Sequence, residues 1–149
     1  MDEKIIATNR RAHYDYFILE TYEAGLQLTG GEVKSIRAGR VNLKGSFARI
    51  EKGEALLYNM HISPYFYDQT DYDPVRTRKL LLHKEEINRL AGKIAQKGFT
   101  LIPLRLYFKK GVAKIEIGLA KGKKLHDRRE ELKRKADRME VERAMRGRK

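Results

Sequence analysis

Two stretches of alternating apolar residues, joined by a glycine-containing turn, constrain the fold of this chain more than any other feature. The alternating positions are Ile102, Leu104, Leu106 and Phe108, then Ala113, Ile115, Ile117 and Leu119. Between them stands Lys109-Lys110-Gly111, whose glycine accepts the positive φ of a tight turn. Because successive side chains of a strand point to opposite faces, the pattern predicts an antiparallel hairpin with one buried face.

Other segments predict further short strands. Residues 46–51 and 54–60 flank Lys52-Gly53, which predicts a second hairpin. Residues 14–28 are rich in aromatic and β-branched residues, and Gly25 within them predicts a bulge or sharp bend. Residues 79–82 form another short strand. Short strands hide their edges by closure, so we expect a mainly β fold, a small antiparallel OB-like β-barrel.

Two helices are expected within this barrel. Thr29 can cap the first, with Glu32 as the capping-box partner and Gly39 at its end. The second spans residues 83–96, with apolar residues at helical spacing: Ile87, Leu90, Ala91, Ile94 and Ala95.

Residues 61–77 contain two prolines, which predict an irregular segment between the strands. Its aromatic residues either cover one end of the barrel or stack on bases: Tyr65, Phe66, Tyr67 and Tyr72.

The charge of the chain indicates a polyanionic partner. The 149 residues carry a net charge of +13, and residues 121–149 alone hold 13 basic and 6 acidic residues. This segment lacks the bulky apolar face of a membrane-surface helix, which favours RNA or DNA over a membrane. The chain has no cysteine and no apolar run of membrane-spanning length, so we expect a cytoplasmic protein.

The apolar alternation ends at Leu119, which predicts a barrel domain over residues 1–120 and a basic tail over residues 121–149. Leu132, Ala136 and Met139 form only a thin apolar stripe in the tail, with Asp127 as a candidate helix cap. We therefore expect the tail to be disordered when free and helical when bound. The alternative is a solvated helix docked on the body.

Catalytic chemistry is weakly supported by the sequence. The four histidines are not spaced for a metal site, and no phosphate-binding glycine loop is present. His13 with Asp15, or His126 with Asp127, resembles half of a ribonuclease acid-base pair, but no second base accompanies either. We expect no enzymatic activity, no cofactor and no metal.

Three basic clusters instead favour a structured RNA partner: residues 9–11, 76–79 and 121–129. A generic OB-type module for single-stranded nucleic acid is the alternative.

Five motifs, in this order, resemble the SmpB family of bacterial SsrA-binding proteins. The resemblance covers residues 7 to 129. The motifs are Asn9-Arg10-Arg11-Ala12, Tyr22-Glu23-Ala24-Gly25-Leu26, Glu32-Val33-Lys34-Ser35-Ile36-Arg37, the run from Asp73 to Leu82, and the run from Gly118 to Arg129.

The resemblance implies a non-enzymatic RNA-binding factor of trans-translation. Such a factor has an OB-like barrel with about three helices and binds the tRNA-like domain of tmRNA, which is SsrA RNA. It delivers that RNA to stalled ribosomes for nascent-peptide tagging and ribosome rescue, with elongation factor Tu in the delivered complex. Its tail enters the empty messenger channel near the ribosomal RNA of the decoding centre. We also expect a monomer.

The resemblance also implies the site residues. It places tmRNA binding at Asn9, Glu23 and Leu81, and we expect the basic residues around them to contact the RNA backbone: Arg10, Arg11, Lys34, Arg76, Arg78 and Lys79. The tail positions expected to bind the ribosome are Lys121, Lys123, Lys124, His126, Asp127, Arg128 and Arg129.

Overall fold

The computed structural model describes residues 3–65, 71–96, 98–123 and 125–146. The strands within these ranges are β1 (Glu3–Thr8), β2 (Tyr16–Leu26), β3 (Val41–Asn42), β4 (Phe47–Glu51), β5 (Glu54–Tyr58), β6 (His61–Ile62), β7 (Arg78–Leu81), β8 (Phe99–Lys109) and β9 (Val112–Gly122). The helices are α1 (Ala12–Asp15), α2 (Gly30–Arg37), α3 (Lys84–Ile94) and α4 (Leu125–Arg146).

Seven strands form one antiparallel sheet that closes on itself. Its order is β1-β8-β4-β5-β7-β2-β9, and β8 also pairs with β9, which joins the two sides into a barrel. The short strands β3 and β6 pair separately. The expected mainly β, antiparallel barrel is confirmed, with α1 to α3 in the body and α4 in the tail. Closure leaves few unpaired strand edges, as short strands require.

Both predicted hairpins are confirmed. Lys52 and Gly53 have φ values of 50° and 77°, and Lys110 and Gly111 have φ values of 51° and 77°. Two successive positive φ values define the turn whose twist matches that of the flanking strands, and glycine adopts the second without a steric penalty. These turns fix the register of β4 on β5 and of β8 on β9.

The two strands of the second hairpin differ in how they meet the core. On β9 all four predicted positions lie in the main core, whereas the register of β8 shifts between Pro103 and Arg105. The main core therefore receives Leu101, Leu106 and Phe108, while a second, smaller cluster holds Ala12, Ile102, Leu104 and Ala120. The prediction of one continuous apolar face was wrong at Ile102 and Leu104, because the extra residue of a bulge reverses the alternation.

The predicted irregularity at Gly25 was also misplaced. The register of β2 against β9 shifts between Ile18 and Glu20 instead. Gly25 lies in a regular stretch, where β2 pairs with both β9 and β7. A Cβ atom at Gly25 would lie 3.2 Å from the Cβ of Leu81, a tight contact, so glycine allows close approach between the two strands here.

The first expected helix begins as predicted. The Glu32 amide donates to Thr29 Oγ1 at 3.2 Å, and the Thr29 amide donates to Glu32 Oε1 at 2.9 Å, which completes the capping box of α2. The second helix is shorter than expected and buries a narrower stripe, because Ala91 and Ala95 are exposed. The excursion before β7 is irregular from Ser63 to Tyr65 and from Asp71 to Thr77, and Phe66 and Tyr67 lie outside the described residues.

Two elements near the start of the chain were not predicted. Residues 3–8 form β1 on the edge of β8, although their sequence is polar at both ends. Residues 12–15, at the start of the predicted strand, form the single turn of α1, whose Ala12 covers the second core cluster. Tertiary packing of Ala12 decides this conformation, and a short segment offers too few positions for a periodic pattern.

The tail begins two residues later than the expected boundary, because Lys121 and Gly122 continue β9 and pair with Phe17 and Tyr16. The following segment is helical as α4, the conformation expected both of the bound tail and of the alternative, a solvated helix docked on the body. Its described side chains between Arg129 and Glu140 are all exposed. Asp127 is the third residue of α4, so its prediction as the helix cap was wrong. Among the described helices, none has the length and apolar character to cross a membrane.

Candidate nucleic-acid interface

The residues of strand β7 that were predicted to contact RNA alternate between buried and exposed positions. Arg78 and Leu80 point into the barrel, whereas Lys79 and Leu81 point outward. Arg78 is 0% exposed, so the prediction that it contacts RNA is contradicted by its burial. The alternation of the strand is the physical reason, since Leu80 must face the core and Arg78 shares its face.

The buried guanidinium of Arg78 organises the segment that leads into β7. It donates to Glu32 Oε2 at 2.6 Å and to the Met60 carbonyl at 2.6 Å. It also donates to the Tyr72 hydroxyl at 3.0 Å and to the Pro74 carbonyl at 3.1 Å. These bonds satisfy a buried charge and tie α2 to the excursion before β7, so Arg78 acts as a structural residue.

Glu32 is the acceptor at the centre of this network. Arg76 also donates to both of its carboxylate oxygens, to Oε2 at 3.0 Å. Burial favours a higher pKa for Glu32, but the hydrogen bonds from Arg76, the Thr29 amide and Arg78 outweigh it and hold the pKa at about 2. Glu32 is thus a carboxylate at neutral pH, and the guanidinium of Arg76, predicted as an RNA contact, is partly committed to it.

The outward side chains of β2 and β7, together with Lys109 at the end of β8, form what we call the Glu23–Leu81 face, defined by Glu23, Lys79, Leu81 and Lys109. Leu81 is 51% exposed beside Gly25. Lys79 is exposed and lies 3.8 Å from Glu54. An exposed apolar side chain flanked by cations is suited to contact a ribose or base with phosphates at either side.

Glu23 is held in place by the barrel. The buried Tyr107 donates its hydroxyl proton to Glu23 Oε2 at 2.5 Å, and Lys109 Nζ lies 3.5 Å from the same carboxylate. The Tyr107 hydrogen bond, with Lys109, holds the pKa of Glu23 below its ordinary value, while burial and the same bond raise the pKa of Tyr107. The result is an ionised acceptor of fixed orientation, which can receive hydrogen bonds from base or ribose donors.

Asn9 lies at a different part of the barrel. Its Nδ2 donates to the Pro103 carbonyl at 3.0 Å and its amide donates to the Leu104 carbonyl at 2.8 Å. The pairing register runs from Glu23 across β9 and β8 to Thr8, so three strand spacings, about 14 Å, separate Glu23 from the end of β1. The predicted contacts therefore form two separate surfaces.

The second surface borders a groove of about 800 Å³. Arg10 and Arg11 are exposed at its rim, and Arg11 pairs with Asp15 at 3.5 Å. The opposite side carries Lys44, Phe47 and Arg49, which the sequence reasoning did not single out. Strand alternation could have indicated two of them, because it places Phe47 and Arg49 together on the outward face of the predicted hairpin.

Lys34 is exposed on α2, with Nζ 5.1 Å from the ring centroid of Tyr65. Lys121 is exposed on β9, whereas Lys123 donates to the His13 carbonyl at 2.7 Å and is therefore tied to the body. Lys124 lies outside the described residues. His126, Asp127, Arg128 and Arg129 lie in the first turns of α4. Within the described ranges, no group of three or more His, Cys, Asp or Glu residues is placed to hold a metal ion.

Comparisons with known proteins agree on one family. The family model described as SmpB protein matches residues 6–147. The chain is 61% identical over 146 residues to the SsrA-binding protein of Geobacillus kaustophilus, covering 97% of this chain and 94% of the relative. Identity is 62% to that of Carboxydothermus hydrogenoformans, over 98% and 99% of the two chains, and 58% to that of Bacillus subtilis, over 96% and 92%.

A solved structure is similar in fold as well as in sequence. It is described as "tmRNA-SmpB: a journey to the center of the bacterial ribosome". The similar chain in it is 58% identical, with a TM-score of 0.67, and the match covers 80% of the present chain and 85% of the other.

Proposed function

The chain belongs to the SmpB family, and from that premise we propose that it binds the tRNA-like domain of tmRNA and acts in trans-translation. The observation that carries the proposal is the 58% to 62% identity to SsrA-binding proteins across 92% to 99% of their lengths. Identity at this level over whole chains includes both the barrel and the tail.

The Glu23–Leu81 face supplies contacts of the kind that a folded RNA requires. Leu81 can lie against a ribose or base, and Glu23 accepts hydrogen bonds from an orientation that Tyr107 fixes. Lys79 and Lys109 flank these two residues and can pair with phosphates. The second surface at Asn9, Arg10 and Arg11 would then contact the same RNA about 14 Å away, a distance within the width of a tRNA-like fold.

The tail is assigned to the ribosome. At about 1.5 Å per residue, the 22 residues of α4 span about 33 Å, and the described side chains of its middle part are exposed. Such a basic rod can enter the empty messenger channel, with His126 to Arg129 at the decoding end. The complex that reaches the ribosome would also contain elongation factor Tu. We further propose that the protein acts in the cytoplasm, is a monomer when free, and binds RNA without catalysing a reaction.

A competition experiment tests the RNA partner. The tRNA-like domain and an unstructured oligonucleotide of equal length compete for the protein at one salt concentration, since both affinities depend on salt. The proposal predicts preference for the folded RNA. Preference for the oligonucleotide would identify a generic OB-type module instead, and RNA cleavage that His126→Ala abolishes would identify a ribonuclease.

A matched pair of leucines tests the proposed face. Leu81 of β7 is 51% exposed and Leu19 of β2 is 53% exposed, so either leucine can be replaced by alanine with little loss of core packing. We expect Leu81→Ala to weaken binding of the tRNA-like domain severalfold and Leu19→Ala to leave it unchanged. Equal affinities, with equal melting temperatures, would remove Leu81 from the interface.

A further inference from the structure

The groove beside Asn9 arises where β8 changes its neighbour. The end of β1 pairs with the second half of β8 at Arg105, whereas β4 pairs with the first half at Leu101. The space between them forms the groove, with Thr100 and Ile102 of β8 among its lining residues. The groove is therefore set by the barrel topology, and the loop between β3 and β4 completes its lining.

The charge of the groove is strongly positive. Its described lining includes four cationic residues and a single acid: Arg10, Arg11, Lys44, Arg49 and Asp15. Arg11 and Asp15 pair with each other at 3.5 Å, which leaves an excess of three positive charges around the groove. Such an excess in a confined space attracts a polyanion.

The loop that carries Lys44 is organised before any ligand binds. Asn42 Oδ1 accepts a hydrogen bond from the Lys44 amide at 2.8 Å, and Ser46 Oγ donates to the Leu43 carbonyl at 2.5 Å. Leu43 is buried in the main core and anchors the loop. Because the backbone is already ordered, little conformational entropy is lost when a ligand contacts Lys44.

An aromatic ring stands in the wall of this cationic groove. Phe47 lines the groove, and Tyr58 stacks on it with ring centroids 5.3 Å apart and planes inclined by 9°. The guanidinium of Arg49 lies 5.1 Å from the Phe47 centroid, and the Tyr58 hydroxyl donates to Glu51 at 2.8 Å. The stack stabilises the β4–β5 hairpin, and it also presents a rigid ring next to cations, the combination with which proteins hold unstacked bases.

We propose that this groove holds an unpaired nucleotide of the tRNA-like domain, with its base stacked on Phe47 and its adjacent phosphates paired with Lys44 and Arg49. The proposal rests on the proposed function. Sequence-specific RNA recognition targets unpaired bases, which can stack on aromatic rings. The groove also adjoins Asn9, so the same RNA can occupy both.

Tryptophan fluorescence tests the stacking directly, because the chain contains no tryptophan. Phe47→Trp places the only indole in the groove, and Phe17→Trp is a matched control on β2. Phe17 is 46% exposed, lies outside the groove and also has a cation nearby, Lys123 Nζ at 5.0 Å. We expect the tRNA-like domain to quench emission from Phe47→Trp and to leave Phe17→Trp unchanged.

Affinity measurements give a second readout that does not depend on the probe. Phe47→Leu should weaken binding of the tRNA-like domain about fivefold or more without changing its salt dependence, whereas Phe17→Leu should not. Lys44→Gln should reduce the salt slope by about one, and Lys110→Gln, at the other hairpin turn, should not. Thermal melting checks that each variant is folded.

Each outcome bears on the proposal. Unquenched Phe47→Trp together with wild-type affinity in Phe47→Leu would overturn it while leaving the proposed function intact. A loss in Phe47→Leu that appears only with ribosomes would also overturn it, since the occupant would then be ribosomal RNA. Failure of the wild-type protein to bind the tRNA-like domain would overturn the proposed function as well.

Discussion

Arg78 and Lys79 are adjacent in the sequence and have opposite environments in the barrel. The guanidinium of Arg78 is buried against Glu32, whereas the ammonium of Lys79 reaches the outer surface. Strand alternation alone produces this difference. The two residues therefore separate a structural role from the proposed binding role within one motif.

The first prediction concerns this pair. Arg78→Met leaves Glu32 buried with Arg76 as its remaining cationic partner, so we expect a loss of about 3 kcal/mol in the free energy of unfolding. Lys79→Met should leave stability within about 0.5 kcal/mol and weaken RNA binding. Urea denaturation and RNA titration of both variants provide the check. A stable Arg78→Met protein with lost RNA affinity would restore Arg78 as a contact.

The second prediction follows from the low pKa of Glu32. The folded protein lowers this pKa from 4.5 to about 2, so the contribution of Glu32 to stability is fully present above about pH 5 and is lost as the pH falls towards 2. The size of the effect is on the order of 3 kcal/mol. Glu32→Gln removes the titration, so the difference in unfolding free energy between wild type and variant should shrink below pH 5. A difference that stays constant between pH 6 and pH 3 would contradict the assignment.

At the scale of elements, the sequence predicted what local chemistry determines. The two hairpins follow from glycine-containing turns, and the start of α2 follows from Thr29 and Glu32. The bulge in β8 was not predictable, because the extra residue is chosen by packing of Ile102 and Leu104 against Ala12. Lys44 and Phe47 were likewise missed, since only closure of the barrel brings their loop opposite Asn9.

The third prediction concerns α4. This helix contains nearly half of the described helical residues, and its described side chains between Arg129 and Glu140 are exposed. Isolated helices of this kind are marginal in water, so we expect most of the helix to form only when a partner binds. Circular dichroism should show that removal of residues 124–149 lowers the helical signal by far less than half. Loss of half the signal would show that the helix is stable in the free protein.

At the scale of the whole molecule, we propose a body that is held together by its core and a tail that is not. The main and second clusters end at Leu119 and Ala120, and the Lys123 amide, in the last described residue of the segment before α4, donates to the Asp15 carbonyl at 2.9 Å. The tail adds more than half of the net charge and almost no core. Binding of RNA and action on the ribosome should therefore be separable.

The measurement that tests this account most directly is peptide tagging by a protein truncated after Lys123. Truncation at this position keeps β9 and its ties to α1, so the body should retain its melting temperature. Nascent-chain tagging on ribosomes that hold a message without a stop codon is measured beside binding of the tRNA-like domain. We expect the truncated protein to bind the RNA with an affinity within a few fold of that of the full chain and to support no tagging. Tagging at the full rate would contradict it, as would loss of RNA binding by a folded body.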